Sequence, residues 1–172
     1  MSKGARAGDI GGVLAAVGGF AVALGAPLPW ENLVYPGPPV PGCFGCGYAS
    51  LFDGTDMANG RVAMAAGAGM AMAGLFVIAY PAARRWTAVG LAAAVVVAAA
   101  AVGGWWLNNM SVAVITTFAV EACSLLLGLA AVPLCLPGPA RQRLPLLAAT
   151  VILCVIGAIL ARPGSTREIV MF

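Results

Sequence analysis

Apolar residues run through this chain in five long blocks, each closed by charge, proline or tryptophan. The first covers about 9–29, behind Lys3 and Arg6. The second covers about 62–83 and stops at Arg84-Arg85. The third, about 86–106, follows at once, with Trp86 and Trp106 at its edges, where amphipathic indoles favour the headgroup region. After the tight Asn108-Asn109 link comes a block of about 112–136, closed by Pro137-Gly138-Pro139. Arg141 and Arg143 then precede a last block of about 144–161. A transmembrane helix needs roughly 20 apolar residues to cross about 30 Å of hydrocarbon. The blocks therefore predict an all-α polytopic membrane bundle of five helices, forming a single membrane domain. For the first block the rival is a cleaved signal peptide, which shares a basic start and an apolar core. Pro27-Leu28-Pro29-Trp30 makes a poor small-residue cleavage site and favours a span with Trp30 anchored at the interface. For the last block, lying along the interface is the rival to crossing.

One interruption, 30–60, is long enough to carry specificity in water. Pro36, Pro38, Pro39 and Pro41 stiffen it toward extended conformations, which lowers the ordering cost of binding. Trp30, Tyr35, Phe44, Tyr48 and Phe52 supply aromatic anchors of the kind that dominate interface energy. These observations predict an ordered external loop that recognises a partner.

Charge orients the bundle. With the amino terminus cytoplasmic, Lys3, Arg6, Arg84, Arg85, Arg141 and Arg143 lie inside, against Arg61, Arg162 and Arg167 outside. That bias matches the positive-inside rule, and inverting the chain reverses it. The loop 30–60 and the tail 162–172 are then external, and the expected location is the cell (inner) membrane. Composition agrees: 62% hydrophobic and 9% charged residues, with a mean hydropathy of +0.98, exclude a water-facing exterior. The net charge of +3 brackets the helices and forms no patch for nucleic acid. The absence of histidine removes the usual haem ligand and the commonest metal ligand and proton shuttle.

Small residues are dense in the apolar blocks: Gly11, Gly12, Gly18 and Gly19 in the first, Gly67, Gly69 and Gly74 in the second. In lipid, small residues let helix backbones approach. They suit either packing within the bundle or docking onto a partner's helices.

Glu121 is the acid inside a span, near the middle of the fourth block. An intramembrane acid costs a few kcal/mol on insertion scales and needs a reason. Helical spacing puts Thr117, Glu121, Ser124 and Gly128 on one narrow face. No basic residue lies within a span to pair with it, so a neutral, hydrogen-bonded acid is expected. It reads as polar glue between helices, with a proton or cation site as the alternative.

Cys43 and Cys46 form a Cys-x-x-Cys in the external loop, in an oxidising compartment where thiols pair. A structural disulfide closing the loop is one reading. Thiol–disulfide exchange is a second, since this spacing lowers the pKa of one thiol. Half of a zinc site completed by a partner is a third. Cys123, Cys135 and Cys154 fall within or at the edges of spans and read as small apolar residues. Asp53, Asp56 and Asn59 crowd the entry to the second span, but lack the alternating ligands and closing glutamate of a calcium loop. An Asx-type turn suits them better.

The position of Cys43 and Cys46, in the first external loop of a small polytopic chain, is similar to the quinone-linked membrane oxidases that generate disulfides. This chain departs from that family. It has no second external cysteine pair, and its own pair is not at the head of the second helix. The order Leu28-Pro29-Trp30, then Phe52-Asp53-Gly54-Thr55-Asp56 and Gly60-Arg61, resembles small actinobacterial, alanine-rich, tryptophan-containing membrane proteins of unassigned function. That likeness covers about Leu28–Arg85, and the fifth block and the cysteine pair depart from it. It implies an actinobacterial host and an accessory role. Taken together, the residues favour a non-catalytic small subunit of a larger inner-membrane complex, with other integral-membrane subunits and the bilayer as partners. No catalytic residue, cofactor or metal is indicated. The alternatives are a membrane thiol oxidoreductase using Cys43 and Cys46, and a small transporter or channel centred on Glu121.

Overall fold

A computed structural model describes residues 3–35, 48–53, 55, 57–109, 115–137 and 140–161. Its helices are α1 (Lys3–Gly25), α2 (Ala58–Ala79), α3 (Arg84–Asn109), α4 (Ile115–Cys135) and α5 (Ala140–Leu160). All five are long and apolar enough to cross a membrane. Between α1 and α2 lie two strands, β1 (Pro29–Tyr35) and β2 (Tyr48–Asp53), paired antiparallel from Tyr35↔Tyr48 to Pro29↔Asp53. The helices bear out the all-α bundle, to which this ribbon adds a two-stranded element. The interruption 30–60 is not wholly loop, because its two ends pair with each other.

Proline sets the element boundaries. Pro27 and Pro29 lack the N–H a continuing helix needs, so α1 ends at Gly25, with the Leu28 amide bonded back to the Gly25 carbonyl at 3.0 Å. Tyr80 precedes Pro81, which disfavours the α region. Its φ of −128° and ψ of 78° end α2, and a short 3-10 turn, Pro81–Ala83, leads directly into α3.

Glycine sets the packing. Every seventh residue of α1 presents glycine to a neighbour, on two adjacent stripes. Gly12 and Gly19 meet α2, where a Cβ on Gly12 would fall 2.8 Å from the Gly74 carbonyl oxygen and one on Gly19 2.5 Å from that of Gly67. Gly11, Gly18 and Gly25 meet α4 at Cys135, at the backbone of Ser124 and Gly128, and at the Glu121 carboxyl. A seven-residue repeat is the signature of left-handed helix packing, and small residues let these backbones touch. The glycines that offered a docking face for a partner are therefore used inside the chain. Gly69 differs: it faces outward, with Ala94 Cβ 3.9 Å from its would-be Cβ.

Helices α1 to α4 enclose a core of Val22, Met70, Val77, Leu91, Val95 and Val132. Helix α5 lies parallel along α3, with Gly157 on Ala100, Gly103 on Ala158 and Gly104 on Ala161. Its remaining faces, including Leu153, Val155 and Ile159, point outward. Laid lengthwise on α3, this helix is, like its neighbour, long and apolar enough to cross a membrane.

The two ends of the bundle differ in charge. Arg6, Arg84, Arg85, Arg141 and Arg143 gather at one end, whereas Arg61 stands at the hairpin end. At the basic end the buried Arg84 donates from Nη2 to Asp9 Oδ1 and from Nε to the Val77 carbonyl at 3.3 Å. It thereby joins α1, α2 and α3. Gly8 lies against the guanidinium, which leaves no room for a larger residue. Removing one partner strands a buried charge, so Asp9→Ala is expected to lower stability by about 1–3 kcal/mol in detergent unfolding. Asp9→Ala with Arg84→Met should recover part of that loss. An Asp9→Ala melting temperature equal to the parent's would show that the pair carries no stability.

Candidate functional site

At the hairpin end, β1 is anchored into the bundle. The strand register shifts between Pro29 and Glu31, so Trp30 sits at a bulge, a device that re-aims a side chain. Its indole is 2% exposed and donates from Nε1 to the Gly25 carbonyl at 3.2 Å. It also meets Trp105 edge-on, with ring centroids 5.1 Å apart. Thr117 Oγ1 donates to the Pro29 carbonyl at 2.6 Å, which ties α4 to the same strand. Trp30 was expected at the interface and among the recognition aromatics, and its burial corrects both expectations. The sharp turn at Pro27-Leu28-Pro29 folds it back over the end of α1. Trp106, expected at the headgroups, stacks on Phe118 with centroids 4.4 Å apart.

Beneath Trp30 lies a cavity of about 10 Å³, lined by Trp30, Val102, Trp105, Thr117, Phe118 and Glu121. Glu121 is 1% exposed, and neither carboxyl oxygen has a hydrogen-bond partner among the described residues. Trp105 Nε1 is buried and unpartnered in the same way. A cavity of this size holds about one water molecule and nothing as large as a quinone or lipid chain. With α4 starting at Ile115, Glu121 lies six residues in, about 9 Å below the helix end.

The predicted polar face of α4 is present, since Thr117, Glu121, Ser124 and Gly128 are all buried. They do not act as one cluster. Thr117 bonds the hairpin, and Ser124 Oγ returns to its own helix at the Val120 carbonyl, 2.6 Å away. Glu121 packs its carboxyl onto Gly25. The hydrogen bonds expected of a neutral acid are not formed to any described group. The sequence reading missed Trp105 and Gly25, whose signals were a second indole beside Trp106 and the seventh-residue glycine spacing.

Tyr35, Tyr48 and Phe52 lie on the paired strands, with Tyr35 opposite Tyr48 and Phe52 opposite Glu31. Cys43, Cys46 and Phe44 lie outside the described residues, as do Asp56 and the tail from 162. Asn59, considered for calcium, donates its amide to the Ala101 carbonyl at 3.1 Å and ties α2 to α3. Among the described residues, Cys123, Cys135 and Cys154 are free thiols.

Glu121 yields a prediction that separates structure from function. Replacing an unpartnered buried carboxyl by an apolar group of similar length removes about 1–3 kcal/mol of unmet desolvation. Glu121→Met is therefore expected to hold or raise the unfolding temperature. A marked fall would mean that the carboxyl is bonded in the native protein.

Compared with known proteins, the chain matches no family model, no curated protein and no solved structure.

Proposed function

We propose that this protein is a non-catalytic subunit of a larger inner-membrane assembly, and that it docks through the ribbon and loop 30–60. The observation that carries this reading is the rooting of β1, with Trp30 sealed between Gly25 and Trp105 and Pro29 held by Thr117. A recognition element fixed at its base loses less entropy on binding than a free loop. In this proposal the basic end faces the cytoplasm and the hairpin end faces outward, following the positive-inside bias. The accessory role implied by the actinobacterial resemblance is consistent with it. Docking through the α1 and α2 glycines is dropped, because all of them except Gly69 are occupied within the chain.

Purification from native membranes in mild detergent tests the proposal. The chain is expected to migrate with a stoichiometric membrane partner. Replacing 36–47 by a Gly/Ser linker of equal length should release that partner while leaving the helical content unchanged. Migration alone, or a partner retained after the replacement, would overturn the proposal. The oxidoreductase alternative is tested by alkylating intact cells, where a mixed redox population is expected of it, and a Cys43–Cys46 pair always oxidised whose Cys→Ser change affects only stability would end it.

A further inference from the structure

At the basic end, the start of α3, the end of α4 and the start of α5 leave a groove of about 630 Å³ between them. Arg85 and Arg141 stand in it, one from α3 and one from α5. Both are exposed, and neither forms an ion pair among the described residues. The acid described at this end, Asp9, is taken by Arg84. The rest of the wall is apolar, including Val89, Leu136 and Leu146. Val89 and Leu146 belong to the apolar segments Pro81–Leu107 and Arg143–Leu160. Arg85 sits at the start of the first segment and Arg141 just ahead of the second.

We infer that this groove binds one anionic phospholipid, its phosphodiester held between Arg85 and Arg141 and its first acyl methylenes laid on Val89, Leu136 and Leu146. Charge complementarity selects the occupant. Two guanidinium groups with no carboxylate to neutralise them favour a phosphate, which each can bind through paired N–H donors. A zwitterionic headgroup would bring its own cation against the same arginines. The volume exceeds that of a bare phosphate, and the apolar wall gives a free anion nothing to bury. Basic pockets between spanning helices at the cytoplasmic face are recognised headgroup sites. The inference stands whether or not the hairpin engages a protein.

The test is native mass spectrometry of the full chain in mild detergent, with added phosphatidylglycerol, phosphatidylcholine or inorganic phosphate. One phosphatidylglycerol per chain should be retained, and phosphatidylcholine should not. Arg85→Gln with Arg141→Gln should weaken retention by about thirtyfold, at about fivefold per basic side chain. Arg85→Lys with Arg141→Lys should keep most of it, and Arg61→Gln at the opposite end should match the parent. Unchanged melting temperatures would confirm that the variants fold. Retention by the Gln pair, an equal loss in Arg61→Gln or equal retention of phosphatidylcholine would each overturn the site. Displacement of the lipid by millimolar inorganic phosphate would make it a soluble-anion site and contradict the lipid assignment.

Discussion

Trp30→Ala is expected to destabilise the protein by about 3–5 kcal/mol, the range for emptying a buried aromatic site, and to detach the hairpin from the bundle. Three effects add at this residue. Its ring is 2% exposed, its indole N–H bonds the Gly25 carbonyl, and its ring packs at a steep angle on Trp105. Truncation also enlarges the small cavity beside Glu121 and Trp105, whose carboxyl and indole N–H already lack partners among the described residues. Trp30→Phe keeps most of the apolar area but loses the hydrogen bond, so about 1 kcal/mol is expected from that term. Unfolding in detergent gives the stabilities. Hydrogen exchange of the strand amides, 29–35 and 48–53, reports on the hairpin. Faster strand exchange in Trp30→Ala, with slow exchange kept in α2 and α3, is the expected pattern. Unchanged strand protection would mean that the hairpin does not depend on its root.

The second large effect lies at the α1–α2 contact. Gly67→Leu is expected to abolish the folded monomer, whereas Gly69→Leu, two residues along the same helix, should fold normally. At Gly67 a Cβ would come 2.7 Å from the Ala23 amide nitrogen and 2.8 Å from the Gly19 carbonyl oxygen. These are backbone atoms and cannot rotate away. Overpacking costs about 1–3 kcal/mol even where side chains can adjust, so a whole leucine between two backbones should exceed that. At Gly69 the nearest atom is Ala94 Cβ at 3.9 Å, an ordinary contact. Size-exclusion profiles and thermal unfolding of the two variants make the comparison. Equal behaviour would refute the packing described for α1 and α2.

The helices were legible because each needs only a long apolar block, a property of the sequence read locally. Their ends were less so. The fourth block reads as about 112–136, and the described helix covers Ile115–Cys135, with 110–114 outside the described residues. The ribbon was missed because the prolines at 36, 38, 39 and 41 drew attention to the centre of the interruption. The strand signal sat at its edges, in Trp30-Glu31-Asn32-Leu33-Val34-Tyr35 and Tyr48-Ala49-Ser50-Leu51-Phe52. Pairing between segments that far apart is a tertiary event, and composition does not report it. Trp30 misled for a related reason: a tryptophan at the end of an apolar block usually marks the interface, and only the turn at Pro27–Pro29 redirects it inward.

The Glu121 face followed from helical spacing alone, yet its surroundings did not. Gly25 and Trp105 reach it from two other helices, and helix packing is what brings them there. The seventh-residue spacing of Gly11, Gly18 and Gly25, matched by Glu121, Gly128 and Cys135 on α4, was present in the sequence. Taken as pairs, these positions point to internal packing from the sequence alone.

The central claim, that the hairpin end is the docking element, is tested most directly by photocrosslinking in native membranes. A photoreactive residue would be placed at Leu33 on β1, at Ser50 on β2, and at Leu153 on the outward face of α5. Adducts to one and the same membrane protein from Leu33 and Ser50, weakened by Trp30→Ala and absent from Leu153, are the predicted result. Protein adducts from Leu153 with none from either strand would contradict the account.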